Sequence, residues 1–269
     1  YIKFFVLFGF LASFSANAIL EVNIIKSKED SFPIVIAPFK FIGDSKGSVD
    51  IAKIIRDNLN RSGQFNALST NELIDNQIDF NFWQEHKKDA VVFGKIEQVS
   101  SKVFNIYIYI YDVLTQKALY QKKIAVHNSG FRRIAHYLSD KIYYVLLGQK
   151  GSFDTRLSYV TVSDNKSGGR TYRLQISDSD GYNPQTVVRS SYPILSPAWS
   201  SDHNKLAYVS FKNNRSEVFV IHPFLKTKTI KLPRFDGIAS SPTWHPNGES
   251  LALTISKKGN KDIYLYNFK

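Results

Sequence analysis

Hydrophobic positions follow a helical period in the first half of the chain. Apolar residues three or four positions apart predict one helix from a cap at Ser48 to about Ser62, and a second over 131–147 that ends at Gly148. Short apolar runs predict strands at 33–39, 65–68, 90–96, 104–113 and 117–126, with a helical turn at 80–86. Residues 19–150 are therefore predicted to form an α+β domain, a mixed sheet with helices.

From residue 151 onward the pattern changes to short β-rich runs separated by turns. The phrase Ser-Pro-x-Trp begins at Ser196 and again at Ser241, 45 positions later, and a weaker copy of the repeat begins near Arg156. The runs 206–211 and 251–255 have too few polar positions for a sheet with one solvated face. A long repeat of short strands is typical of β-propeller blades. An ordinary β-sandwich with a chance internal similarity is the alternative.

The N-terminus has the layout of a secretory signal peptide. An apolar run from Phe4 to Phe14 follows Lys3 and precedes the small-residue phrase Ala16-Asn17-Ala18. Residues 1–18 are predicted as the signal peptide, with cleavage after Ala18. The run is shorter than the ~20 residues of a bilayer span, and a retained membrane anchor is the alternative. No later segment is long and apolar enough to cross a membrane, which predicts an exported chain without a transmembrane segment in its mature form.

Composition and charge exclude several classes of partner. The 269 residues carry a formal charge of +12, but the lysines are interspersed with acids and form no stripe with aromatic residues. We therefore expect no nucleic-acid binding. The densest basic cluster, Lys226, Lys228, Lys231 and Arg234, is interpreted as a solvated loop between two blades. The chain has no cysteine, so its stability is expected to come from core burial without disulfides.

No residue pattern in the chain predicts catalysis. The six histidines form no metal-binding motif, and the chain lacks a serine elbow, a phosphate-binding glycine loop and any cysteine nucleophile. His136 lies opposite the apolar stripe of the last helix and is predicted to be a surface residue. Asp178-Ser179-Asp180-Gly181 is similar to a calcium loop, but it lacks the remaining ligands and is predicted to be a turn between blade strands. We therefore expect no catalytic residue, no metal and no cofactor.

Several specific phrases carry a resemblance to a known family. They are Ile34–Phe39, Asp89–Gly94, Thr155–Val160, Ser177–Gln185 and Pro193–Ser200. Together with the order of signal peptide, small α/β domain and tryptophan-containing blades, they resemble the TolB family of the Tol–Pal system of Gram-negative bacteria. The resemblance covers essentially the whole chain.

The resemblance implies both a fold and a function. The fold would be the α+β domain followed by an all-β, six-bladed propeller, of which residues 151–269 supply the first two to three blades. The chain is thus expected to be a C-terminally truncated fragment. The function would be non-catalytic: a periplasmic protein, monomeric when full length and peripheral to the envelope membranes, that links TolA to the peptidoglycan-associated lipoprotein Pal. Such proteins support outer-membrane integrity and invagination during cell division, and some bacteriocins exploit them for import.

The same resemblance places the TolA-binding segment at the mature N-terminus. This segment comprises Leu20, Glu21, Val22, Asn23, Ile24, Ile25 and Lys26. Its apolar residues are suited to adding a strand to the edge of a partner's sheet. The alternative is that the segment forms the first strand of its own domain, and our hypothesis is that the two states exchange. Pal is expected on the propeller, at residues that the sequence does not identify.

Two other functions remain open at this stage. The blades are also compatible with the propeller portion of a longer exported hydrolase or peptidase whose catalytic domain would follow Lys269. A propeller that binds sugars or anions is a weaker alternative. Further repeats downstream would favour the binding protein, whereas a G-x-S-x-G motif and a late histidine would favour the hydrolase.

Overall fold

The first domain is built on a six-stranded mixed sheet. The structure, a computed structural model, describes residues 31–43, 49–75, 77–164, 168–225 and 229–268. The strands of this sheet are β1 (Phe32–Ile36), β2 (Lys40–Ile42), β3 (Phe65–Ser69), β4 (Ala90–Gln98), β5 (Val103–Asp112) and β6 (Ala118–His127). Their order is β3-β1-β4-β5-β6, with β2 beside β4. β1 is parallel to both β3 and β4, and β2 is parallel to β4, whereas β5 is antiparallel to both β4 and β6.

Three helices cover the two faces of this sheet. They are α1 (Ile51–Arg61), α2 (Phe80–Glu85) and α3 (Phe131–Leu147). The side chain of Asp50 caps α1 by accepting the N–H of Lys53 at 2.9 Å. The predicted cap, Ser48, lies outside the described residues, and the helix begins at Ile51 instead. As predicted, α3 ends at Gly148, which adopts a left-handed φ of 69° and donates its N–H to the Tyr144 carbonyl.

Alternation along the strands divides the hydrophobic residues between two clusters. Ile34 and Ile36 of β1 face α1 and α3, together with the fully buried isoleucines at 106, 108 and 110 of β5. Val35 faces the opposite side of the sheet, where it packs near Trp83 of α2. This two-sided burial follows from the period of two along a strand. None of the helices in the described ranges is both long enough and apolar enough to span a membrane.

The second part of the chain forms three separate antiparallel sheets of blade type. The first contains β7 (Arg156–Asp164), β8 (Arg170–Asp178) and β9 (Gln185–Ser190). The second contains β10 (Ile194–Trp199), β11 (Leu206–Ser210), β12 (Glu217–Ile221) and β13 (Ile230–Lys231). The third contains β14 (Ile238–Trp244), β15 (Ser250–Lys257) and β16 (Asn260–Asn267). The fold class predicted from the sequence, an α+β domain followed by propeller sheets, is confirmed.

The predicted repeat appears as the same local structure in two neighbouring sheets. Trp199 pairs with Leu206, and Trp244 pairs with Leu251 at the equivalent position. A register shift precedes each tryptophan, and Ser196 and Ser241 both have a positive φ of 50°. The two tryptophans therefore occupy matching places in different blades.

The middle sheet is buried on both faces, as its sequence predicted. Leu206 and Tyr208 of β11 pack toward the first blade sheet, while Ala207 and Val209 pack toward the third. A two-layer sandwich buries only one face of each sheet, so stacking of this kind favours blades. One prediction needs adjustment: Lys231, expected in a loop, lies in β13 and pairs with Glu217 at 2.6 Å, whereas 226–228 lie outside the described residues.

Candidate functional site at the junction of the two domains

The residues predicted to bind TolA, and the residue predicted to precede the signal-peptide cleavage site, lie outside the described part of the chain. These are Leu20, Glu21, Val22, Asn23, Ile24, Ile25 and Lys26, together with Ala18. Within the described residues, a group of charged and hydrogen-bonding side chains lies where α3 meets the first blade sheet. Most of these residues were not singled out from the sequence.

The helix α3 carries a polar stripe in addition to its apolar one. Arg132, His136 and Asp140 are four residues apart and share one face of the helix. The prediction that His136 is a surface residue is wrong, because its relative exposure is only 3%. The first blade sheet covers this face of α3. The four-residue spacing of these polar side chains is the sequence signal for this burial, since a polar stripe on a helix can face another domain as well as water.

Arg132 joins the two domains through a pair of carboxylates. Its Nε lies 3.2 Å from Oδ2 of Asp178, and its Nη2 donates to the carboxylate of Asp180. The guanidinium carbon lies 3.7 Å from the ring centroid of Tyr182, a cation–π contact. The segment 178–181 is a turn, as predicted, with Gly181 at a φ of 81° and its N–H bonded to the Asp178 carbonyl. The turn presents its acids to α3.

A buried amide fixes the tautomer of His136. Asn58 of α1 donates through Nδ2 to Nδ1 of His136 and to Oγ of Ser139, both at 2.9 Å. Its Oδ1 accepts from Nη2 of Arg61, which defines the orientation of the amide. The Nδ1 atom of His136 is therefore an acceptor, and the neutral ring carries its proton on Nε2. This Nε2 lies 3.9 Å from both Asp178 and Asp180 and 3.5 Å from Nη2 of Arg132. In this tautomer the contact with Arg132 joins two donors and is not a hydrogen bond.

The electrostatics of the junction follow from burial and from Arg132. Burial lowers the pKa of His136 below its ordinary value, although the nearby Asp180 and Asp178 act in the opposite direction. Burial alone would raise the pKa of Asp180. Hydrogen bonds from the Tyr182 N–H and from Arg132 outweigh that effect and hold the pKa of this carboxyl below its usual value. The favoured state at neutral pH is a neutral histidine beside an arginine paired with two carboxylates.

The same residues have the spacing of a potential metal site, but their bonding favours an ion-pair link. One ligand atom each from His136, Asp178 and Asp180 lie within 4.8 Å of one another. Arg132 already donates to both carboxylates. A metal ion there would replace these bonds and lie beside a guanidinium group, which repels it. The arrangement is therefore better suited to holding two domains together.

A second anchor lies beside this ion pair. Asp140 of α3 accepts the backbone N–H of Phe153 at 2.8 Å and that of Asp154 at 3.0 Å. The Phe153 ring is buried in the core of the first domain, in edge contact with Tyr143 at 5.7 Å between centroids. The chain passes so close to Asp140 that a Cβ added at Gly151 would lie 2.2 Å from its Oδ1. The link between the domains is thus stabilised by apolar packing as well as by hydrogen bonds.

Comparison with known protein families gives two matches in series along the chain. Residues 20–119 match the model described as TolB amino-terminal domain, and residues 143–269 match the TolB beta propeller domain. Together these models account for most of the chain. They correspond to the two parts of the fold that the junction connects.

Individual relatives agree with the family models. A "Tol-Pal system protein TolB" from Ruthia magnifica subsp. Calyptogena magnifica is 59% identical over 93% of this chain, which covers 59% of that protein. The protein of the same name from Nitrosococcus oceani is 38% identical over 78% of this chain, covering 49% of that protein. The crystal structure of TolB from Acinetobacter baumannii has a TM-score of 0.76 at 34% identity, over 88% of this chain and 58% of that one. The chain thus spans between about half and three fifths of the length of these relatives.

Proposed function

The chain belongs to the TolB family of Tol–Pal system proteins, and we propose that it acts as a non-catalytic periplasmic protein that links TolA to Pal. Through this link it would support outer-membrane integrity and invagination during cell division. The observation that carries the proposal is the presence in one chain of both TolB domains, matched in series by family models. Residues 1–18 would direct export, with cleavage after Ala18.

The junction supports a linking role. A protein that connects two partners benefits from domains held in a defined relative position. The position of one bound partner then determines the position of the other. Arg132 and Phe153 supply such a connection, one by ion pairing and one by burial. The relatives cited above are named as Tol–Pal proteins, which favours this role over the alternative of an exported hydrolase.

We assign TolA binding to the N-terminal segment and Pal binding to the propeller. Leu20, Val22 and Ile24 alternate with Glu21 and Asn23, a period suited to pairing with the edge of a sheet. The segment would exchange between a free state that binds TolA and a docked state on its own domain. Both assignments are specific enough to be tested separately.

The test is capture of purified TolA and Pal by variants of the segment. A chain lacking residues 20–26 should lose TolA and retain Pal. A chain with the same residues in scrambled order is the matched control for length and composition, and it should also lose TolA. Unchanged capture of TolA by both variants would refute the assignment. Loss of Pal together with TolA would instead indicate that the segment supports the fold of the whole protein.

A further inference from the structure

We propose that the groove between β6 and α3 binds an extended, acidic segment of a partner protein, which adds a strand to β6. We call this the edge groove; it is lined by Lys122, Ile124, Val126, Arg133, Ile134 and Tyr137, and it has a volume of 700 Å³. The site includes neither residues 20–26 nor any blade strand, to which TolA and Pal binding are assigned above, although Asp154 from the link to the first blade sheet lines it. It would therefore serve an additional partner or an additional contact.

The outer backbone edge of β6 is unpaired within the described part of the chain. β6 is the last strand of its sheet, and no strand among the described residues pairs with its outer side. The Asn128 N–H bonds to the Lys102 carbonyl, next to the pairing of Val103 with His127. Because ladder bonds alternate along an antiparallel pair, Lys123 and Ala125 direct their N–H and C=O groups away from β5. These groups match the spacing of a peptide backbone.

The floor of the groove is apolar. Ile124 and Val126 of β6 are only half-buried, as is Tyr137 of α3, and Ile134 lies beside them. Alternate side chains of an added strand point to the same face of the sheet and would cover this floor. An edge that is merely protected from aggregation needs charged residues but no such floor. The groove thus offers both parts of a strand-addition site, backbone groups and a hydrophobic contact.

The charge of the edge groove specifies the kind of partner. Lys122 and Lys123 are exposed, and the side chain of Arg133 is 78% exposed. The acid that lines the groove, Asp154, lies 3.7 Å from Arg133. Lys122 shares a face of β6 with Ile124 and Val126, and Lys123 lies on the opposite face. An added segment would place carboxylates that alternate with apolar residues beside Lys123 and would be attracted to these cations, whereas a basic segment would be repelled. Self-pairing through β6 is disfavoured for the same reason, because it would bring the lysines of two copies to one seam.

The test is fluorescence anisotropy with a labelled peptide in which valine and glutamate alternate, about ten residues long, as is typical of a long strand. The whole chain should bind this peptide in a salt-sensitive manner, and an otherwise identical peptide with lysine in place of glutamate should not bind. Equal binding of the two peptides, or no binding of either, would overturn the proposal.

Ala125→Pro tests the geometry of strand addition. Proline removes an N–H that the sheet does not use, so the fold should be retained. An added strand, however, would lose one hydrogen bond and clash with the proline ring. We expect at least about tenfold weaker binding, equivalent to ~1.4 kcal/mol. The matched control, Ala125→Val, keeps the N–H and should bind as the parent chain does. Equal affinities of the two variants would contradict strand addition.

The double variant Lys122→Glu, Lys123→Glu provides an independent test at the surface, in case proline at residue 125 prevents folding. It should reverse the preference from the glutamate peptide to the lysine peptide. An unchanged preference would overturn the proposal.

Discussion

Arg132 shows how one side chain can connect two domains. Its planar guanidinium group presents several N–H donors in a fixed fork, which suits simultaneous bonds to Asp178 and Asp180. The face of the same group contacts the ring of Tyr182. A lysine could supply the charge but not this geometry. Arg132 is therefore the residue at which the strength of the junction is best tested.

Arg132→Ala should destabilise the chain by about 1.5–3 kcal/mol, the range for hydrogen bonds to charged groups. The reason is that two neighbouring carboxylates lose the cation that pairs with them. Urea unfolding measures the loss. The adjacent Arg133→Ala is the control, because its side chain is 78% exposed and its ion pair with Asp154 is long, at 3.7 Å. It should change the free energy of unfolding by less than about 1 kcal/mol. Equal losses of stability in the two variants would contradict a specific role of Arg132 in joining the domains.

His136 should make stability depend on pH in a predictable direction. Its pKa in the folded protein is lowered from the ordinary value of 6.5 by burial. Below about pH 6.5 the unfolded chain therefore takes up a proton that the folded chain resists. The contribution of His136 to the free energy of unfolding should be constant above that pH and fall as the pH drops toward the lowered pKa.

Comparison with His136→Gln, by urea unfolding between pH 8 and pH 5, isolates the effect of this histidine. The glutamine variant lacks the titrating ring, so its slope in this range should be smaller than that of the parent chain. Asp180, with its lowered pKa, titrates at more acidic pH and does not contribute here. Identical slopes would mean that His136 does not resist protonation.

At the scale of elements, equivalent strands differ in how their tryptophans are bonded. Trp244 of β14 donates Nε1 to the Ala198 carbonyl in the neighbouring blade at 3.1 Å. Trp199 of β10 occupies the matching position, stacked on Phe224 with centroids 6.1 Å apart. Its Nε1 is buried and has no hydrogen-bond partner in the part of the chain that the structure describes. The two rings thus make similar apolar contacts and different polar ones.

This difference predicts unequal effects of the same substitution. Trp244→Phe removes a hydrogen bond between two blades, whereas Trp199→Phe removes an N–H that has no partner among the described residues. Trp244→Phe should therefore cost about 1 kcal/mol more than Trp199→Phe. Thermal unfolding of the two variants in parallel measures the difference. A larger loss at Trp199 would contradict the account.

At the scale of the whole molecule, Phe153 should couple the stability of the two domains. Phe153 lies just before the first blade strand, and its ring is buried in the core of the first domain, beside Tyr143. Phe153→Ala opens a cavity there and should cost about 3–5 kcal/mol. It should also separate the unfolding of the domains into two calorimetric transitions, because an apolar contact that joins them is lost.

Hydrogen exchange provides the second measurement for Phe153→Ala. Protection should decrease in α3 and in the 178–182 turn, and remain highest in β5 and β11, which lie in separate cores. Leu157→Ala is a suitable control, since Leu157 is 46% exposed and its truncation should leave the domains coupled. A single cooperative transition in Phe153→Ala would show that the polar contacts of Arg132 and Asp140 are sufficient to couple the domains.

The sequence by itself determined most of the elements and the class of fold. The isoleucines of β5, the apolar stripe of α3 and the stop at Gly148 are local patterns, and local patterns specify periods of two and 3.6 residues. The repeat of Trp199 and Trp244 specified the blades in the same way. Boundaries were less exact: the strand expected over 33–39 ends at Ile36, because the chain leaves β1 and pairs again with β4 as β2.

Only the tertiary structure decided which polar residues meet. A polar stripe on α3 has the same sequence pattern whether it faces water or another domain, so His136 was placed on the surface. The turn at Asp178 and Asp180 that covers it comes more than forty residues later, and no spacing within either segment encodes their contact. Burial then altered the chemistry of these groups, because the pKa of His136 and its hydrogen bond to Asn58 depend on neighbours that the fold brings together.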